Sequence, residues 1–133
     1  MTAVDSSIVV AAFASWHEAH ETALLVLAKR PKLPSHVAIE SYSVLTRLPS
    51  PNRAPAHLVN QFLKHHFPEP VLSLPPSSYA SLLELVSDEA ILGGSIYDAL
   101  IAATALHSGA TLYTLDRRAA RTYQLVGVTY ELV

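Results

Sequence analysis

Four acids stand where chemistry gathers in this chain: Asp5, Glu40, Asp98 and Asp116. Asp5 and Asp116 each close a short apolar run, at the point where a strand would hand over to a helix. Glu40 and Asp98 lie about one turn inside helices whose surroundings are strongly apolar. An ionised acid there is costly unless a cation or hydrogen bonds compensate it. Carboxylate oxygens suit Mg2+ or Mn2+, not zinc. With such an ion the natural reaction is attack by metal-bound water on a phosphodiester, because the ion acidifies the water and neutralises charge growing on the phosphate. Each acid also has a plain structural reading. Asp5 and Asp116 suit helix N-caps. Ser95 and Asp98 fit the S-x-x-D pattern of a capping box. Glu40 could be a helix-surface residue near Arg47. The joint placement of the four is what favours a metal.

The elements that must position these acids are organised around Gly93 to Asp116, GGSIYDALIAATALHSGATLYTLD. The glycine pair breaks the preceding segment, Ser95 suits an N-cap, and Ile96, Leu100, Ala103 and His107 recur at helical spacing. Gly109 ends that helix, and Ala110 to Leu115 reads as a short apolar strand. A buried helix feeding such a strand predicts an α/β unit with a parallel sheet. Thr2–Val4 is a further strand, with helices expected over Ile8–Phe13, His17–Arg30, His36–Leu48, Ala54–His66, Ser77–Leu92 and Arg117–Leu125. Short strands are expected at Lys32–Ser35, Val71–Leu74 and Val128–Leu132. One domain spanning 1–133 is the expectation, since a chain of this length buries roughly two-thirds of its unfolded surface.

Composition narrows the classes. The absence of cysteine excludes disulfides and thiolate zinc sites. A net charge of −2 argues against binding nucleic acid by bulk charge alone. Charged residues make up 15%, against a usual share of about 25%, so part of the apolar excess is expected to face a partner. No apolar run reaches the roughly 18 residues of a membrane span, and the N-terminus lacks the basic start of a signal peptide; a soluble, cytoplasmic protein is expected. His17 and His20 lack the H-E-x-x-H pattern. No G-x-S-x-G surrounds a serine, and Gly93–Gly94 is no phosphate loop. Arg117, Arg118 and Arg121 follow Asp116 directly and could position a phosphate beside the metal, or form a solvated surface.

The chain resembles the PIN-domain ribonucleases, and among them the VapC toxins of bacterial toxin–antitoxin pairs. The resemblance is carried by V-D-S-S-I-V with Asp5, H-V-A-I-E-S with Glu40, S-I-Y-D-A-L-I-A-A-T-A with Asp98 and T-L-Y-T-L-D with Asp116. It implies an α/β/α sandwich with a central parallel sheet, an acidic site for one or two Mg2+ or Mn2+ ions formed by those four residues, and cleavage of RNA. It implies as well a homodimer and a cognate VapB-type antitoxin. Ser6 and Thr114 fall where the family often carries a hydroxyl near the metal. Arg117 and Arg118 occupy positions where some relatives have a further acid or amide.

The leading expectation is a metal-dependent endoribonuclease toxin. A non-catalytic PIN-like module binding RNA or a protein is the alternative. A phosphotransfer domain using Asp5 as acceptor is weaker, lacking an acidic pair before the first helix. A hydrophobic groove for an antitoxin segment is expected around Phe13, Trp16, Leu24, Leu45 and Leu48, and the antitoxin is expected to place a basic residue near the four acids.

Overall fold

The computed structural model describes residues 1–133. Its centre is β1, Thr2–Val4, whose Ala3 and Val4 are wholly buried. β1 pairs in parallel with β2, Thr111–Thr114, and β2 in parallel with β3, Tyr130–Leu132. Single parallel bridges, Ala3 with Lys32 and Pro34 with Leu72, extend the sheet beyond β1. The strands expected at Lys32–Ser35 and Val71–Leu74 are therefore reduced to isolated bridges. Pro31, Pro34 and Pro70 remove backbone donors there, so no continuous ladder can form.

Seven helices join these strands: α1 Ser6–Phe13, α2 His20–Leu27, α3 Ser35–Thr46, α4 Ala56–His66, α5 Tyr79–Asp88, α6 Ser95–His107 and α7 Ala120–Val126. Several are shorter than their sequence patterns. Arg30 and Ala90 take left-handed backbone beyond the ends of α2 and α5, and Pro76–Ser78 is a separate 3-10 turn. Asp116 accepts from the Arg118 N–H at 2.9 Å, forming a turn that delays α7 to Ala120. Arg117 thus lies outside the helix and shares no helical face with Arg121. Gly109, with φ +70°, closes α6.

Connections leaving β1 lead toward Lys32 and Leu72, whereas β2 leads through α7 to β3 on the opposite side. Right-handed crossovers in opposite directions place α1–α3 and α6–α7 on opposite faces. The main core joins the two: Ile8, Val9, Val26 and Val37 on one side, Ile101, Ala105 and Tyr123 on the other. Adjacent strands that feed opposite directions leave a crevice between their carboxyl ends, the usual ligand position in an open α/β sheet. That crevice lies between β1 and β2.

The expected apolar groove is not formed as such. Leu45 is buried against Ala54 and Val59, with Phe13 and Leu48 packed on that cluster. Phe13 also meets Phe62 edge-to-face, centroids 5.4 Å apart. The helix Ala56–His66 covers this apolar stripe. Trp16, Leu24 and Leu25 remain exposed. No helix is long and apolar enough to cross a membrane.

Candidate active site

Asp5 leaves β1 at the crevice and caps α1, accepting from the N–H groups of Ser7 at 3.0 Å and Ile8 at 3.4 Å. It is only 3% exposed, which would be costly without donors. Ser7 Oγ donates to the same oxygen, and the Tyr123 hydroxyl donates to the other, Oδ2, at 2.7 Å. Burial raises the Asp5 pKa, while hydrogen bonds from Ser7, Thr114, Tyr123 and the Ile8 N–H pull against that rise. Tyr123 is held far above the ordinary tyrosine range by burial first and by Asp5 next. It remains a proton donor at any physiological pH.

Ser7 joins the two strand ends. Its hydroxyl accepts from the Leu115 N–H at 2.9 Å and lies 3.4 Å from Thr114 Oγ1. Thr114 Oγ1 in turn accepts from the Asp116 N–H at 2.9 Å. Asp116 is thereby fixed just past β2. The Arg118 side chain, almost fully exposed, reaches to 3.9 Å from its carboxylate.

Glu40 and Asp98 approach from the two opposed helical layers. Glu40 projects from the second turn of α3, where one oxygen accepts from Ser6 Oγ and the other lies 3.7 Å from His36 Nε2. Asp98 sits in the first turn of α6, and no protein group donates to it. Its pKa is pushed up to about 6 by burial, then by the charges of Glu40, Asp116 and Asp5. The four carboxylates therefore share one electrostatic neighbourhood at the crevice.

Residues 2–125 match the PIN domain. Over all 133 residues the chain is 43% identical to Ribonuclease VapC40 of Mycobacterium tuberculosis, covering 99% of that protein. The chain belongs to the PIN-domain family. Ribonuclease VapC27 of the same organism is 36% identical over 127 residues, 95% of this chain and 92% of its own. The crystal structure of FitAcB from Neisseria gonorrhoeae has a TM-score of 0.70, covering 98% of this chain and 96% of that one. Its 16% identity makes it a likeness of fold alone.

Against this PIN-domain frame, the four acids lie at one edge, but the expected convergence on a single ion is incomplete. As the side chains stand, no three Asp, Glu or His groups are close enough together to hold one metal ion. The cause is visible in their partners. Asp5 is drawn to Tyr123 and Ser7, Glu40 to Ser6 and Asp116 to the Arg118 N–H, and like charges at the crevice repel. The donor set still fits a hard divalent cation, because it is all oxygen, and Asp98 has an oxygen pair without a hydrogen-bond donor.

The capping box expected of Ser95 and Asp98 is absent: Gly94 occupies the cap position, Ser95 is the first helical residue, and no side chain caps the helix. The plain explanation for Asp98 thus falls away. Ser6 and Thr114 contact Glu40 and the Asp116 backbone. Arg117, Arg118 and Arg121 are exposed, and only Arg118 approaches an acid. Ser7 and Tyr123 were not foreseen as parts of the site. The doubled serine after Asp5 was the only local signal for Ser7. Tyr123 had none, since its partner lies 118 residues away.

Proposed function

We infer that this chain is an endoribonuclease and the toxin of a type II toxin–antitoxin pair. The observation that carries the reading is Asp98, a half-buried acid without a donor, whose charge is opposed by three other carboxylates at the sheet's switch point. Family membership supplies the chemical class, and ribonucleases of this family generally depend on a divalent metal. Asp5, Glu40, Asp98 and Asp116 would hold Mg2+ or Mn2+. When bound, such an ion supplies positive charge against the scissile phosphate and acidifies the attacking water.

The chain's own residues do the positioning. Tyr123 and Ser7 lock the Asp5 carboxylate in one orientation. Ser6 orients Glu40, and Thr114 anchors the Asp116 backbone. Arg118, extended into solvent beside Asp116, can trade its carboxylate partner for an RNA phosphate, with Arg117 and Arg121 as further phosphate contacts. The protein acts in the cytoplasm as a homodimer, and a VapB-type antitoxin restrains it by setting a basic side chain among the acids. The exposed Leu24 and Leu25 offer an apolar surface for the antitoxin segment.

Incubation of the antitoxin-free protein with total RNA tests the reading, with Mg2+, with Mn2+ and with EDTA, followed by mapping of the new ends. Metal-dependent cleavage abolished by Asp98→Asn is expected. RNA binding without cleavage under every condition would replace the nuclease by a non-catalytic binding module.

A further inference from the structure

Two aromatic rings bridge the helices that carry Glu40 and Asp98. His36, in the first turn of α3, and Tyr97, in the first turn of α6, are stacked with centroids 5.2 Å apart and planes within 2° of parallel. Both positions adjoin the acids. His36 Nε2 is 3.7 Å from Glu40 Oε2, and Tyr97 immediately precedes Asp98. The inner ring is largely covered, with 25% of the His36 side chain exposed, while Tyr97 is 51% exposed. A tyrosine serving only to pack two helices would bury its ring. Here the histidine fixes one face of the ring, and much of the tyrosine stays open to solvent at the rim of the acidic crevice.

We propose that Tyr97, backed by His36, is a stacking platform for a nucleobase flanking the phosphate that is cut, and that it helps determine which nucleotide the site accepts. The proposal rests on the ribonuclease reading for its substrate class. An acidic crevice on a chain of net charge −2 attracts no polyanion by bulk charge. Affinity must then come from a few local contacts, and stacking on an exposed ring is the contact every base can make. Stacking also needs an unpaired base, so a single-stranded segment or loop is the form accepted. Trp16 is comparably exposed but lies beyond the far end of α1, whose start is at Asp5. It is an aromatic of the same kind on the edge away from the acids, and serves as the internal control.

The test is binding of fluorescent single-stranded oligoribonucleotides, one homopolymer of each base, to protein carrying Asp98→Asn so that no cleavage intervenes. It is paired with mapping of cleaved ends in the otherwise wild-type chain. Tyr97→Ala and Tyr97→Leu should each weaken binding by about 5- to 150-fold, the range of one base–aromatic stack, most for purines, with the melting temperature held. Tyr97→Phe should keep affinity, and Trp16→Ala should change nothing. The distribution of cleaved ends should shift in Tyr97→Leu and stay in Tyr97→Phe. Equal affinity for Tyr97→Leu and the parent overturns the platform, as does equal loss in Trp16→Ala. If RNA is cleaved normally while Tyr97 has no effect, the platform falls and the nuclease stands. If binding depends on Tyr97 but the wild type cleaves nothing, the platform stands and the nuclease falls.

Discussion

Replacing Asp98 with Asn should make the metal-free protein more stable, although it removes a proposed metal ligand. In the folded chain Asp98 releases its proton at about 6, against an ordinary value of 3.8. The folded state thus holds that proton more tightly than the unfolded state, and stability falls as pH rises through this window. At about 1.4 kcal/mol per pH unit, the difference corresponds to about 3 kcal/mol. Asp98 is partly exposed, and solvent screening reduces that to about 1–2 kcal/mol. Asparagine cannot ionise and so escapes this cost. Below about pH 3, Asp98 is protonated in both states and nearly isosteric with Asn, so the variant and the wild type should melt together. By about pH 7.5 the variant should melt roughly 3–8 °C higher in EDTA. Thermal melts of both proteins across this pH range measure the gap, and the titrations of carboxylates remote from the crevice cancel in the difference. Saturating Mn2+ should then reverse the order, since the wild type gains a bound ion and the variant loses a ligand. A gap of equal size at both ends of the pH range, or an Asn variant less stable in EDTA throughout, would refute the electrostatic account of the site.

Tyr123→Phe strips the buried donor from Asp5 Oδ2; we expect a loss of about 1–3 kcal/mol in urea unfolding and a lower kcat with KM nearly kept, and unchanged turnover would remove Tyr123 from the positioning of Asp5. Wild-type protein should gain about 2.7 kcal/mol of stability at an Mn2+ concentration near 100 times Kd, reversed by EDTA; an indifferent melting curve would argue that the four acids bind no ion. Arg118→Ala combined with Arg121→Ala should raise KM for RNA several-fold with little change in kcat, and lessen the salt dependence of binding. Salt titrations that superpose with those of the wild type would assign these side chains to solvent.

Helical periodicity and the apolar runs of β1 and β2 were legible because burial leaves a direct imprint on residue type. Their neighbours were less so. The segments at Lys32 and Leu72 look like strands, yet the prolines around them allow only isolated bridges. Helix ends were misplaced where local bonds intervened, as where Asp116 bonds to the Arg118 N–H before α7 begins. The acids were readable at the site because charge within apolar sequence is conspicuous. Their fine geometry was not, for it depends on which donor each oxygen finds. Ser7 meets Leu115 and Tyr123 meets Asp5 across more than a hundred residues, separations that leave no periodic trace. The Ser95 capping box shows the converse error, a sound local pattern that the backbone at Gly94 left unused.

The bond between Tyr123 and Asp5 also has a consequence for the timing of synthesis. The two residues are 118 positions apart, so at 5–20 residues per second the ribosome needs roughly 6–24 s after making the first to make the second. Until the C-terminal segment has emerged, Asp5 lacks its phenolic donor, and β3 is missing from the edge of the sheet. The nascent chain thus lacks a complete site through most of its own translation. The site is completed late, when the last few dozen residues reach the first five.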